Sequence, residues 1–280
     1  MTTLAEADRA CRRVNRRHGV TYYWAAKLLG PEQRRHVHAL YALCRTADDV
    51  VDGGGSTDDR RRRLDRLRSS FDDALGGGST DDPVLVAVRR TIETYGLERS
   101  LFERFFAAMA TDLVTSEYST WDDLLVYMDG SAAVIGEMLL PVLEPTDPAA
   151  AFEPARHLGL AFQLTNFLRD IGEDLDLGRR YVPSADVERF GVDLASRTVT
   201  PAFVDLMRFE IARNRDLYDT ASDGLAVLPP RSRRCVATAL RAYREILDRI
   251  EANGFDVFGR RASVPAHRKV RIAVDEYRRR

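Results

Sequence analysis

Cysteine, lysine and long apolar runs are all scarce in this 280-residue chain, and each scarcity closes off a class of protein. The three cysteines, Cys11, Cys44 and Cys235, lie far apart and form no CxxC pair. A disulfide framework and a thiolate zinc site are therefore not expected, and a reducing compartment fits. No run reaches the roughly 18 apolar residues that a membrane span needs, and "MLLPVLEP" is far too short. The opening "MTTLAEADRACRRVNRRHG" has no apolar core of a secretory signal. An excess of one charge is missing too. The formal net charge is −1, so no global basic field argues for nucleic acid as a partner. Only Lys27 and Lys269 are lysines, and the arginine runs at 60–63, 233–234 and 278–280 read as solvated faces. The expectation is a cytoplasmic protein, with a peripheral membrane contact left open.

What is present is helical. An apolar fraction of 45% with 30% charged residues is ordinary for a chain that buries a core. In "EQRRHVHALYALCRTADDVV", Val37, Leu40, Tyr41, Cys44 and Ala47 recur at three- and four-residue steps, as an amphipathic helix requires. The same pattern predicts helices over "RSLFERFFAAMATDLV", over an unbroken "WDDLLVYMDGSAAVIGEMLLPVL", from Pro154 to Asp174, and over "AFVDLMRFEIARNRDLYDTA" and "RCVATALRAYREILDRIEA". Alternating strand patterns are absent. "DGGGST" and "GGGST" read as flexible loops around an arginine-rich helix, and "EPTDP" and "LPP" punctuate others. No break has the look of an interdomain linker, and no internal repeat is visible. The predicted class is all-α, one domain over residues 1–280.

The segment "NFLRDIGEDLDLGRRYVP" poses the functional question, because an acidic run is usually a wet helix face. Spacing argues otherwise. Asn166, Asp170 and Asp174 stand at i, i+4 and i+8, with Gln163 one turn earlier, so they share one helix face. Their neighbours Ala161, Phe162, Leu164, Phe167, Leu168 and Ile171 are apolar. A second pair, Asp48 and Asp52 in "YALCRTADDVVD", repeats the i, i+4 spacing, with Arg45 and Tyr41 one and two turns before. Like charges so placed destabilise a helix, more so when desolvated. Two such pairs imply a compensating cation. Oxygen donors without His or thiolate suit Mg²⁺, which takes one or two carboxylates and fills its shell with water and substrate phosphate. Arg45 and Arg169 either grip phosphate through their guanidinium forks or form intrahelical ion pairs. Asp49, Glu173 and Asp176 fall off the stripes and read as solvated or supporting.

Taken together, "YALCRTADDVVD" and "AFQLTNFLRDIGEDLDLGRRYVP" resemble the paired aspartate-rich signatures of the squalene and phytoene synthases, the head-to-head prenyltransferases. "HGVTYYWAAKLLGPEQRRHVHALYALCR" is similar to their N-terminal substrate segment, "YMDGSAAVIGEMLLPVL" to their central helix and "YREILDRIEANGFDVF" to their C-terminal helix. The "YMDGSAAVIG" wording is closer to bacterial phytoene synthases. The resemblance implies an isoprenoid-synthase helical bundle around a deep cavity with the two acidic motifs facing each other at its mouth. It implies that Asp48, Asp52, Asn166, Asp170 and Asp174 bind Mg²⁺, with Mn²⁺ as a substitute. His18, Thr21, Tyr41, Arg45, Gln163, Arg169 and Tyr243 are then expected around the diphosphate and allylic end, with Tyr127 as a cavity tyrosine. Phe162, Phe167, Tyr127, Met128, Val134 and Met138 are the expected apolar walls, although for any one of them core packing is the commoner role.

The implied reaction joins two geranylgeranyl diphosphates through a cyclopropylcarbinyl diphosphate to phytoene, a step of carotenoid synthesis. The alternative within the family is a squalene or dehydrosqualene synthase acting on farnesyl diphosphate. No glycine-rich dinucleotide fingerprint follows a strand, which favours the outcome without NADPH. A class I terpene cyclase carries an Asn/Ser/Glu triad at the same spacing, but position 170 is Asp here. A degenerate scaffold relative is expected to have lost some of the acids, and all four aspartates remain.

Overall fold

The computed structural model describes residues 2–278. Among them are thirteen α-helices and no strand beyond an isolated bridge between Glu117 and Arg180. Helix starts are written locally. Thr3, Ser56 and Thr120 each form a capping box, with Glu6, Asp59 and Asp123, at α1 (Leu4–His18), α4 (Thr57–Leu75) and α7 (Trp121–Met128). These boxes satisfy backbone N–H groups that the first turn leaves unpaired. Between α1 and α4 lie the short α2 (Val20–Ala26) and α3 (Pro31–Val51), which carries the first acidic motif. Helices α5 (Pro83–Tyr95) and α6 (Arg99–Thr111) follow α4.

The predicted unbroken central helix is interrupted. After α7 the chain makes one π-helical turn, Asp129–Ala133, before resuming as α8 (Val134–Leu143). The whole stretch Trp121–Leu143 is long and apolar enough to cross a membrane by length and composition, but most of it is buried inside the protein. It also carries Asp129 and Glu137 in ion pairs, as a core helix can and a lipid-facing one cannot.

Helix α9 (Pro148–Asp176) is the spine. Its start lies before the expected Pro154, which sits inside the helix; Pro148 takes the first-turn position where a missing N–H is harmless. At 29 residues it is roughly 44 Å long, using 1.5 Å per residue. Beyond it come α10 (Ser184–Arg189), α11 (Pro201–Asp223), α12 (Pro230–Ala252) and α13 (Ala266–Arg278). One apolar cluster joins α7, α9, α11 and α12 through residues such as Leu164, Phe203, Met207 and Leu247. A second joins α1, α3, α5, α6 and α8 through Leu40, Leu43, Phe102, Phe105 and Met138. A buried polar tie, Thr165 Oγ1 with the Tyr218 hydroxyl at 2.7 Å and with the Asn214 amide at 2.8 Å, fixes α9 against α11.

The two halves meet where backbones touch. A Cβ on Gly159 would stand 2.3 Å from the Ala132 carbonyl oxygen, and one on Gly136 would stand 2.2 Å from that of Ala155. Here α9 presses directly on the π turn and α8, and no side chain can yield to make room. Gly159→Ala is therefore expected to destabilise the protein by about 2–3 kcal/mol, the upper end for overpacking. Thermal melting followed by circular dichroism should show a fall of roughly 4–12 °C; an unchanged midpoint would contradict the backbone contact.

Candidate active site

Helices α3 and α9 both end on one cavity, and each brings its carboxylates towards its own C-terminus. Asp52 caps α3, and Asp174 lies in the last turn of α9. Helix C-termini carry partial negative charge, so acids there are placed against the dipole. They open onto a cavity of about 940 Å³. Every residue expected to hold metal or to surround the diphosphate lines it, and so does the expected cavity tyrosine: Asp48, Asp52, Asn166, Asp170 and Asp174, together with His18, Thr21, Tyr41, Arg45, Tyr127, Gln163, Arg169 and Tyr243. Of the expected apolar walls, Tyr127, Phe162 and Phe167 are there. Met128, Val134 and Met138 are not; all three are wholly buried in the core packing on the far side of their helices.

The basic residues are already engaged. Arg45 pairs with Asp49, four residues on. Arg169 grips its neighbour Asp170 through Nε at 2.7 Å and Nη2 at 2.5 Å. The intrahelical ion pairs weighed against phosphate contacts are thus both formed in the protein alone. Arg261, from the loop before α13, adds a second fork on Asp170 at 2.8 Å from Nε and from Nη2. Glu173 is exposed and only 3.4 Å from Arg261, in keeping with a supporting place.

Several residues that spacing does not reveal complete the site. Arg179 donates to Asp52 at 2.6 Å and stands 3.5 Å from Asp112, which lies at the end of α6. The Tyr181 hydroxyl donates to Asp112 at 2.7 Å. Its ring stacks on Phe167 at 3.9 Å and lies near Tyr127 at 5.9 Å. Tyr22 from α2 stacks on Tyr243 at 5.1 Å, and Phe162 packs on Tyr243 at 4.4 Å. Lys269 of α13 also lines the cavity; burial, and then Arg169, lower its basicity. Arg179 and Tyr181 fall within the "RRYVP" segment, but Asp112 and Arg261 have no periodic partner in the sequence to mark them.

Electrostatics divide the acids. Burial, and then repulsion from Asp52, push the Asp48 carboxyl up to about 7. Burial and Asp170 push Asp174 up to about 8. Burial also opposes the charge on Asp170, but the Arg169 and Arg261 forks outweigh it and hold that carboxyl below its usual range. Asp112 is raised by burial in spite of Arg179 and Tyr181. Two carboxylates thus lack enough positive charge near them, and the buried Asn166 Oδ1 has no hydrogen-bond partner. This hard-oxygen donor set fits Mg²⁺. Among the described residues no group of three His, Cys, Asp or Glu side chains encloses a metal by itself; Mg²⁺ commonly fills its shell with water and substrate phosphate.

The sign of the pH dependence follows from the raised Asp174. Below about pH 4 its carboxyl is protonated whether the chain is folded or unfolded, so the group is neutral for stability. As pH climbs towards 8 the unfolded chain ionises freely while the fold resists, and the metal-free protein loses stability across that window. Asp174→Asn should therefore raise the melting midpoint in EDTA at pH 8.5 clearly more than at pH 5. Equal differences at the two pH values would refute the assignment.

The squalene/phytoene synthase family model matches residues 15–268. The chain is 36% identical to the 15-cis-phytoene synthase of Synechocystis sp., over 96% of this chain and 83% of that protein. It is 36% identical to the chloroplastic phytoene synthase 3 of Zea mays, over 99% and 66% respectively. A dehydrosqualene synthase crystal structure superposes with a TM-score of 0.90 at 28% identity, covering 98% of this chain and 96% of that one. A squalene synthase from Alicyclobacillus acidocaldarius superposes with a TM-score of 0.81 at 30% identity, covering 90% and 96%. The isoprenoid-synthase helical bundle is thus shared with these enzymes, and the chain belongs to the squalene/phytoene synthase family of prenyltransferases.

Proposed function

We propose that the protein condenses two geranylgeranyl diphosphates head to head into phytoene, through a cyclopropylcarbinyl diphosphate, without NADPH. One observation carries this reading: two acidic helix ends and a set of arginines share the mouth of a cavity whose depth is apolar and aromatic. A diphosphate has its place at the first part and two prenyl chains at the second. The curated relatives named phytoene synthase, across cyanobacteria and plants, support the choice of product. The dehydrosqualene synthase superposition keeps the C15 substrate as the rival reading.

Asp48, Asp52, Asn166, Asp170 and Asp174 would hold Mg²⁺, which when bound neutralises charge building on the leaving diphosphate. Arg169 and Arg261, which grip Asp170, and Lys269 of the same cavity would orient phosphate oxygens. Tyr41, at the Gly19 turn, closes that end; a Cβ on Gly19 would lie 2.5 Å from its ring. Deeper in, the Tyr22–Phe162–Tyr243 and Tyr127–Phe167–Tyr181 groups present ring faces that favour positive charge and keep water away from it. The double bond of the second substrate attacks the allylic cation of the first, and loss of a proton gives the cyclopropylcarbinyl diphosphate; departure of its diphosphate and rearrangement join the two C1 carbons, and a final proton loss ends the sequence.

Incubation with Mg²⁺ and geranylgeranyl diphosphate, without NADPH, should give a C40 hydrocarbon by mass spectrometry. Asp170→Ala should lower diphosphate release at least a thousandfold with the helical spectrum intact. A C30 product from farnesyl diphosphate alone would replace this reading with the dehydrosqualene one.

For a product this insoluble we also propose a peripheral contact with an anionic bilayer at the cytoplasmic side, through α13. Its outward face exposes Val270, Val274 and Tyr277 beside the exposed His267, Arg271 and Arg278, while Lys269 of the same helix reaches the cavity. Flotation with vesicles containing phosphatidylglycerol should recover the protein and lose it at high salt, and Val274→Asp should weaken recovery several-fold. Equal recovery with neutral vesicles, or none with either, would remove the contact.

A further inference from the structure

Tyr127, Ser131, Ile135, Leu139 and Leu143 form a stripe at four-residue steps along the cavity wall. An aromatic ring and three aliphatic chains suit prenyl groups; the serine does not. Ser131 is only 5% exposed, and its Oγ has no hydrogen-bond partner. Several helical hydroxyls in this protein bond back to the carbonyl four residues earlier, as Thr46, Thr91, Thr165 and Ser222 do, while Ser232 and Thr238 of α12 are buried without a partner but do not line the cavity. Ser131 makes no such bond. A buried hydroxyl so left destabilises a fold by about 1–3 kcal/mol.

The backbone around it is held with unusual firmness. Ser131 sits in the π-helical turn, a local form often found at functional sites. Arg104 of α6 donates to Asp129 at 2.7 Å and to Glu137 at 2.8 Å, before and after the turn. Arg156 of α9 donates to the same two carboxylates, to Asp129 at 2.7 Å. Gly130 lets the turn lie against α6, where a Cβ would meet the Arg104 carbonyl oxygen at 2.8 Å, and the Ala132 carbonyl abuts Gly159. A closed ring of four charges and two backbone contacts therefore fix a turn whose one polar side chain on the cavity has no protein partner.

We infer that the Ser131 hydroxyl is an electron-pair donor to cationic carbon, contacting the positive charge that develops on the prenyl chains. The assignment rests on the condensation reading, since a hydrocarbon offers a hydroxyl nothing until it becomes cationic. A neutral oxygen dipole at that place stabilises charge without forming a bond to it, which a carboxylate there would risk. The other members of its stripe on the cavity wall, Tyr127, Ile135, Leu139 and Leu143, carry no charge.

The test uses binding as well as turnover. With inorganic diphosphate and Mg²⁺ present, calorimetry would compare a geranylgeranyl chain ending in trimethylammonium with the same chain ending in a neutral tert-butyl group. The wild type should prefer the cation, Ser131→Ala should reduce that preference about five- to tenfold, and Ser131→Thr should restore most of it. Ser131→Ala should melt no lower than the wild type, because it removes an orphaned hydroxyl. In turnover it should lower kcat with KM little changed and release more of the cyclopropylcarbinyl intermediate. A Ser131→Ala variant that keeps the full cation preference, or that weakens both ligands alike, overturns the assignment. A wild type that prefers the ammonium yet forms no condensation product would instead overturn the functional reading.

Discussion

Repulsion between carboxylates at the ends of α3 and α9 is the constraint around which the rest of the structure is arranged. Each helix delivers acids to its negative end, and the two ends are brought to one cavity. Nothing in folding alone favours this. The protein offsets part of the repulsion with Arg179 on Asp52 and with the Arg169 and Arg261 forks on Asp170. Asp48 and Asp174 are left with their carboxyls pushed up into the neutral range. That under-compensated charge is what the proposed Mg²⁺ site rests on, and on that reading stability is given up for function.

The scaffold that tolerates this strain is built from long-range contacts placed away from the acids. The backbone-to-backbone crossing at Gly136 and Gly159, and the Arg104–Asp129–Arg156–Glu137 ring, hold α6, α8 and α9 together at the apolar wall. The Thr165–Tyr218–Asn214 tie does the same between α9 and α11. Between these fixed points the cavity keeps its shape while its mouth carries opposing charges. Aromatic groups around Tyr243 and Tyr181 fill the transition from the polar mouth to the greasy interior.

Periodicity made most of this legible in advance. The i, i+4, i+8 spacing put Asn166, Asp170 and Asp174 on one face, and Asp48 with Asp52 on another, and all five line the cavity. Spacing failed where geometry departs from a regular helix. The π turn shifts the register beyond it, so Val134 and Met138 pack into the core while Ile135 and Leu139 take the wall; Met128, before the turn, is buried in the core next to the wall residue Tyr127. Asp112 and Arg261 were illegible for another reason: each acts alone on its own element and becomes meaningful only through a partner distant in sequence. The Pro154 start was misplaced because a proline usually opens a helix, and here Pro148 does so first.

Anomalous diffraction from crystals grown with Mn²⁺ and a non-hydrolysable geranylgeranyl thiodiphosphate would test the central claim most directly. The account predicts metal peaks bridging the thiodiphosphate to Asp48 or Asp52 on one side and to Asn166, Asp170 or Asp174 on the other. Analogue bound at the mouth with no metal between those two helix ends, or with metal held elsewhere, would contradict it.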